Sequence, residues 1–292
     1  MNSIRCDATA ARSGPTGAVL AWILMALGAC TSPGVGSPAP AVLPHERVAE
    51  ILTSPDRSAA DRANDGRRKP YEMLNFIGIR PGMVALDISA GGGYTTELLA
   101  RAIGPTGRVY GQSAPRIARV APAAPEDAAV PAAAPASADT VPRSSPGALA
   151  ERANNPRASN IVVVVQPLEN PAPTEVASNG LDLVTLMFNY HDLGHLGVDR
   201  ARMNRAIFAA LKPGGMYVIA DHSGRPGTGI SESGTLHRIE ESFLRREVES
   251  AGFRLRESGN FLRNPADPRD RNTPDPPQPK DEFVLKFVKP SW

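Results

Sequence analysis

Apolar residues along the chain fall into two alternating patterns. Short runs of adjacent apolar residues occur at Met83–Ile88, Asn160–Val165, Leu181–Phe188, Met216–Ala220 and Glu282–Val288, with shorter ones at Arg108–Gly111 and Phe253–Glu257. Runs of this length, bounded by Gly, Pro and Asn, predict buried strands. Between them apolar positions recur at helical spacing. Tyr71, Leu74 and Ile77 follow Pro70, which suits a first helical turn, and Leu98, Leu99 and Ile103 follow Tyr94. Further helical stretches run from about Val198 to Leu211 and from Arg238 to Ala251, and His45–Leu52 starts another. Gly104-Pro-Thr-Gly107, Lys212-Pro-Gly-Gly215 and Gly252 punctuate them. Strands alternating with helices predict a doubly wound α/β sheet, mostly parallel and covered on both faces. The last two strands have no helix between them and predict a C-terminal antiparallel hairpin at the sheet edge.

Composition changes this picture at two places. Between Ala114 and Asp139 nearly half the residues are alanine, interrupted by Pro115, Pro122, Pro125, Pro131 and Pro135. Proline at that spacing defeats a long helix, and few large apolar groups are available to bury. A Pro/Ala-rich disordered insertion is therefore expected at about 114–156. The other place is the N-terminus. Arg5 and Arg12 precede the apolar run Ala18–Leu27, which is about half the ~20 residues needed to span a bilayer. Leu27-Gly28-Ala29-Cys30 resembles the lipobox of bacterial lipoproteins. That resemblance implies a signal peptide over residues 1–29 and a lipid anchor on Cys30; the following stretch, rich in Pro, Gly, Ser and Ala, reads as a flexible tether over 30–44 ahead of a domain over 45–292. The mature protein would be exported and held on the periplasmic side of a bacterial membrane. The two cysteines are Cys6 and Cys30, so cleavage would leave no thiol for a disulfide, a metal or a nucleophile.

The whole chain has 292 residues, 41% apolar and 21% charged, with a net charge of +2. These values exclude collagen-like, wholly disordered and polytopic membrane classes. No general field exists for gripping nucleic acid, and no nucleic-acid partner is expected.

The stretch richest in chemistry is Val84-Ala-Leu-Asp87-Ile-Ser-Ala-Gly91-Gly92-Gly93-Tyr-Thr-Thr-Glu97. In an α/β sheet, ligands bind outside the carboxyl ends of the strands, and a glycine turn there lets a ligand approach the backbone. A dinucleotide fingerprint would need a third glycine where Thr96 stands. Asp87–Gly93 instead resembles motif I of class I S-adenosylmethionine-dependent methyltransferases, Asp-x-Gly-x-Gly-x-Gly, with Ser89 in the first glycine position. Leu211-Lys-Pro-Gly-Gly215 and the closing hairpin are similar to the same family. The resemblance covers about Arg68–Val288 and implies a Rossmann-like seven-stranded fold and S-adenosyl-L-methionine as cofactor. It further implies that Asp87, Ser89, Ala90, Gly91, Gly92 and Gly93 hold the methionine end. At the second strand's end, Gln112 replaces the family's ribose-chelating acid, and Gln166-Pro-Leu168 stands where an acid often lies near adenine.

In that layout Asn189-Tyr190-His191-Asp192, after the fourth strand, faces the methyl acceptor, whose identity the sequence leaves open. His191 is a candidate general base oriented by Asp192, with Asn189 or Tyr190 binding the acceptor. Asp221-His222 ends the fifth strand at the same crevice, and His222 is a second candidate; His237-Arg238 opens the next helix. A metal site is not expected. His191 and His195 have i, i+4 spacing, but Gly194 and Gly197 favour a loop there and no third ligand is close in sequence. Arg67-Arg-Lys69 could reach a carboxylate, but reads as a solvated charge run. Two rivals to a methyltransferase remain: an exported binding protein that kept the fold without transfer chemistry, and a dinucleotide oxidoreductase. The first gains weight because S-adenosylmethionine is made in the cytosol, while a lipoprotein signal sends the domain outside it.

Overall fold

The computed structural model describes residues 41–115, 145–274 and 278–291. The signal, the Cys30 anchor, most of the tether and positions 116–144 of the insertion lie outside the described residues.

Three helices lead in: α1 (His45–Thr53), α2 (Ala59–Arg68) and α3 (Pro70–Ile77). The Ser58 side chain caps α2 by accepting from the Asp61 N–H, and Lys69 in a left-handed conformation (φ 47°) turns the chain into α3. Then follow β1 (Val84–Ile88), α4 (Tyr94–Ile103), β2 (Arg108–Ser113), α5 (Ser145–Ala153), β3 (Ile161–Val165) and β4 (Leu181–Met187). The chain continues with α6 (Asp192–His195), α7 (Arg200–Ala210), β5 (Leu211–His222), α8 (Glu241–Ser250), β6 (Arg254–Gly259) and β7 (Glu282–Val288).

The strands form one seven-stranded sheet in the order β3-β2-β1-β4-β5-β7-β6. β1 to β5 pair in parallel, and β7 lies antiparallel between β5 and β6. This is the Rossmann-like doubly wound sheet with a closing antiparallel hairpin. Period-two alternation supplies both cores. Leu86, Val184, Leu186, Tyr217 and Ile219 pack on one face with Met203 and Ile207 of α7 and Leu244 and Val248 of α8. Ala85, Leu183, Val218 and Ala220 face the other way, toward Ile51 of α1, Leu74 and Ile77 of α3, and Leu99 and Ile103 of α4. The order reverses beside β1, so the carboxyl ends of β1 and β4 open the crevice that such sheets use for ligands.

Four sequence expectations need correction. The last part of the expected insertion is a helix, α5, which packs on β2 and β3 through the fully buried Leu149. One leucine among alanines is a faint signal, yet Gly111 and Gly93 leave the space that it fills. Asp192–His195 is one helical turn rather than loop, ended by Gly197 at φ 69°. α8 begins at Glu241, not Arg238, because Arg238 is buried in a two-pronged ion pair with Asp267 and Ile239 bridges to Ser223. β5 starts at Leu211, where Leu181 pairs with it ahead of a register shift that absorbs Lys-Pro-Gly-Gly.

Candidate functional site

At the end of β1 the backbone enters the left-handed region at Ser89 (φ 56°), Gly91 (φ 54°) and Gly93 (φ 81°). Glycine takes that conformation freely, but serine does so at a cost. Local hydrogen bonds hold Ser89 there: its N–H donates to Gln112 Oε1 (2.9 Å) and its Oγ to Asn189 Oδ1 (2.7 Å). The outer carbonyls of the turn are taken by α5, Ser145 Oγ donating to Gly91 O (2.6 Å) and Arg152 Nε to Gly92 O (2.5 Å). Arg152 also forks onto Asp61 of α2 (2.6 and 2.9 Å) and meets Glu97 of α4. The turn is thus clamped from both sides.

Beside it lies a cleft of about 370 Å³, lined by Asp87, Ser89, Ala90, Gly91 and Gly92 together with Arg68, Tyr94, Arg152, Phe188 and Asn189. Asp87 is buried and accepts from Thr96 Oγ1 (2.6 Å) and Thr185 Oγ1 (2.7 Å). Burial raises its pKa to about 6 against those hydrogen bonds and the nearby Arg68 charge. Each carboxylate oxygen keeps a lone pair for a ligand. Gly93 does not line the cleft; it backs onto Leu149 and Arg152, and a Cβ there would collide with both. Gln112 is wholly buried, its Oε1 on Ser89 N and its Nε2 on Gln166 O (2.6 Å). It ties the glycine turn to the end of β3 and does not face the cleft.

Arg68 corrects the reading of Arg67-Arg-Lys69 as a solvated run. Its guanidinium lies 4.3 Å from the Phe188 ring centroid and lines the cleft, with no carboxylate among the described residues in ion-pair range. Burial and the Arg67 charge pull its pKa down to about 10, so it stays a cation at neutral pH. Nothing in the sequence separates Arg68 from its neighbours; only the helix end at Lys69 aims it inward.

The Asn189–Asp192 segment splits into different environments. Asn189 lines the cleft and donates from Nδ2 to Asp192 Oδ2 (3.3 Å). Tyr190 points under the sheet, fully buried, donating to Glu247 (3.0 Å) and accepting from Asn204 (2.9 Å), so it does not meet an acceptor. His191 is buried between two carboxylates, Nδ1 on Asp221 Oδ1 (2.5 Å) and Nε2 near Asp192 Oδ1 (3.1 Å). Burial lowers its pKa, but the hydrogen bonds and charges of Asp192 and Asp221 outweigh burial and hold the ring at about 9. Both ring nitrogens thus face carboxylates, and His191 is not among the residues that line the Asp87 cleft. Asp192 lies well below the usual carboxylate range; burial opposes this, and hydrogen bonds from His191 and His237 prevail.

His222 faces a second, larger cavity of about 980 Å³, with Arg67, Lys69, Arg263, Lys280 and Glu282 in its lining. Burial drives the His222 pKa down to about 3, so the ring is neutral. Its Nδ1 lies 2.9 Å from Glu282 Oε1 but too obliquely for a hydrogen bond. Burial raises Glu282 to about 7 despite Arg67, Arg68 and Lys280. Phe188 stands between the two cavities, 5.6 Å from His222 centroid to centroid and under Arg68.

No family model and no curated protein matches the sequence. Solved structures do. The chain is similar to an S-adenosylmethionine-dependent methyltransferase from Aquifex aeolicus, at 16% identity and TM-score 0.51, over 84% of this chain and 98% of that one. It is also similar to an arsenic(III) S-adenosylmethionine methyltransferase from Chlamydomonas reinhardtii, at 15% identity and TM-score 0.50, over 84% and 73%. At these identities the likeness is one of fold: the chain has the Rossmann-like α/β fold of class I S-adenosylmethionine-dependent methyltransferases.

Proposed function

We propose that the protein is an S-adenosylmethionine-dependent methyltransferase that binds its cofactor in the Asp87 cleft and its acceptor in the His222 cavity. One observation carries the reading: a half-buried cation, Arg68, with no ion-pair partner among the described residues, and a buried acid, Asp87, line one cleft with a glycine turn between β1 and α4. That pair fits the carboxylate and ammonium of an amino-acid end. Arg68 would hold the carboxylate, Asp87 the ammonium, and Asn189 the groups beside them. When bound, the cofactor supplies an electrophilic methyl group on sulfur. Phe188 separates the two cavities and, with Arg68 stacked on it, keeps water from the boundary. His222, neutral and lacking a hydrogen-bond partner at Nδ1, orients the acceptor's hydroxyl or amine. Glu282, with a pKa of about 7, takes the proton. The cationic lining favours an acidic acceptor.

Export by a signal over residues 1–29 and anchoring at Cys30 belong to the same proposal. Cys30→Ala should then release the domain from the membrane fraction; equal retention and processing of that variant refutes the anchor.

A non-catalytic binding protein is the second reading, favoured by Gln112, whose amide already bridges two backbones where the family carries a ribose-binding acid. Calorimetry of the full chain with S-adenosylmethionine, followed by labelled methyl transfer, decides between them. Binding with transfer supports the first reading; binding without transfer to any acidic acceptor, or absence of binding, defeats it and favours the second.

A further inference from the structure

We propose that His191, Asp192 and His237 form a binding site for one divalent transition-metal ion of the zinc class, with His195 at its open side. The proposal does not depend on methyl transfer. Three groups that are distant or differently oriented in sequence converge here. His191 Nε2, Asp192 Oδ1 and His237 Nδ1 all lie within 4.8 Å of one another. His191 Nε2 is 3.1 Å and His237 Nδ1 2.9 Å from the same Asp192 oxygen. Ligands held at about 2.0–2.1 Å around a tetrahedral zinc stand ~3.3 Å apart, so these donors need only small movements to close on an ion. The His191 and His237 rings meet at 87°, approaching the shared oxygen from different directions.

The surroundings match what holds a metal ligand in place. Metal-binding histidines donate their other ring nitrogen to a carboxylate or carbonyl, which fixes the tautomer and ring plane. His191 Nδ1 meets Asp221 at 2.5 Å, and Asp221 is itself fixed by the backbone N–H groups of His191 (2.7 Å) and His222 (2.8 Å). Asn189 orients the second oxygen of Asp192. With neutral imidazoles, Asp192 and Asp221 balance a charge of two. His195 sits one helical turn along, its Nδ1 3.9 Å from Asp192 Oδ1 and its side chain 37% exposed. Its Nδ1 is held by Ser233 Oγ (3.0 Å), so that position is left to water, and the exposure of His195 gives an ion a way in. Imidazole donors select zinc or cobalt over magnesium and calcium, which take oxygen ligands. The third ligand that the sequence lacks near His191 comes from His237, 45 residues beyond Asp192.

The test is calorimetry of the full chain, stripped with chelator, against Zn²⁺, with Co²⁺ absorption as a readout of coordination. One Zn²⁺ per chain should bind in the micromolar range or tighter, with visible Co²⁺ ligand-field bands and no displacement by millimolar Mg²⁺. His237→Ala, at a half-exposed position, should weaken Zn²⁺ at least about a hundredfold with the far-UV spectrum of the parent kept, and Asp221→Asn about 10–100-fold. His45→Ala and the Cys6→Ala/Cys30→Ala pair should bind as the parent does. No Zn²⁺ uptake by the parent, parental affinity in His237→Ala, preference for Mg²⁺, or loss of binding in the cysteine pair overturns the proposal.

Discussion

The glycine turn after β1 and the histidine cluster after β4 lie side by side, and Asn189 hydrogen-bonds to both. They are built in opposite ways. The turn presents mainly backbone to its cleft, and Ser145 and Arg152, the latter held by Asp61 and Glu97, brace it from outside. The cluster is made of side chains from two connections, each held by another side chain. A site made of backbone depends on local conformation, which a motif encodes. A site made of converging side chains depends on where distant segments meet, which no motif encodes. The two regions should therefore fail differently under mutation.

The largest effect is expected at the cluster. His191→Ala leaves Asp221, fully buried, without its cationic partner, and breaking such a buried pair from one side costs about 3–5 kcal/mol. Chemical denaturation of the variant should show that loss. A stable variant with only slowed methyl transfer would mark His191 as a base and undo the contrast. The pH profile follows from the same contacts. His191 is raised from its ordinary value near 6.5 to about 9. Its contribution to stability is therefore full below about 6.5 and is lost as pH rises through about 9. Asp192 is lowered, so its contribution is present above the ordinary carboxylate range and is lost as pH falls below it. Melting temperature against pH, in the parent and in Asp192→Asn, reads both limbs; a parent flat from neutrality to pH ~10 contradicts the ion-paired cluster.

The bracing of the turn comes next. Leu149→Ala empties the space under Gly93 and Gly111, and a buried leucine truncated in this way costs about 2–5 kcal/mol. If α5 is the brace, the same change should also weaken S-adenosylmethionine binding, because Ser145 and Arg152 hold the turn carbonyls. Stability unchanged in Leu149→Ala would show that α5 is dispensable. Within the cleft, Arg68→Ala and Asp87→Asn each remove one charge-assisted contact, worth roughly 1.5–3 kcal/mol, or about ten- to a hundredfold in affinity. Calorimetry should show that loss with little change in melting temperature for Arg68→Ala. Parental affinity in both variants would move the cofactor elsewhere.

These outcomes bear on what was legible in the chain. The order of strands and helices could be read because apolar periodicity is local and the sheet's two faces repeat every second residue. Asp87 and the glycines could be read because their conformational demand is local too. Arg68, Tyr190 and His237 could not. Arg68 differs from Arg67 only in the direction that the last turn of α2 gives it, and Tyr190 is carried away from its neighbours by a hydrogen bond to Glu247, 57 residues on. α5 was hidden because a single buried leucine fixes it, and alanine-rich composition around it carries no periodic signal.

The smallest effect tests the one position where the turn departs from its motif. Ser89 keeps φ at 56°, a conformation that costs a non-glycine residue about 1–2 kcal/mol. Its Oγ returns roughly 0.5–1.5 kcal/mol through the bond to Asn189. Ser89→Ala removes the bond and keeps the strain, so it should destabilise by about 1 kcal/mol. Ser89→Gly removes the bond and the strain together, and gives back about 0.5–1 kcal/mol through the greater freedom of glycine in the unfolded chain. Its stability should therefore sit close to the parent and above that of Ser89→Ala by several tenths of a kcal/mol. Affinity for S-adenosylmethionine should be parental in Ser89→Gly, because the backbone that meets the cofactor keeps its shape. If Ser89→Ala is the more stable of the two variants, the left-handed turn carries no strain at residue 89. Backbone conformation would then not be what sets this region apart from the histidine cluster.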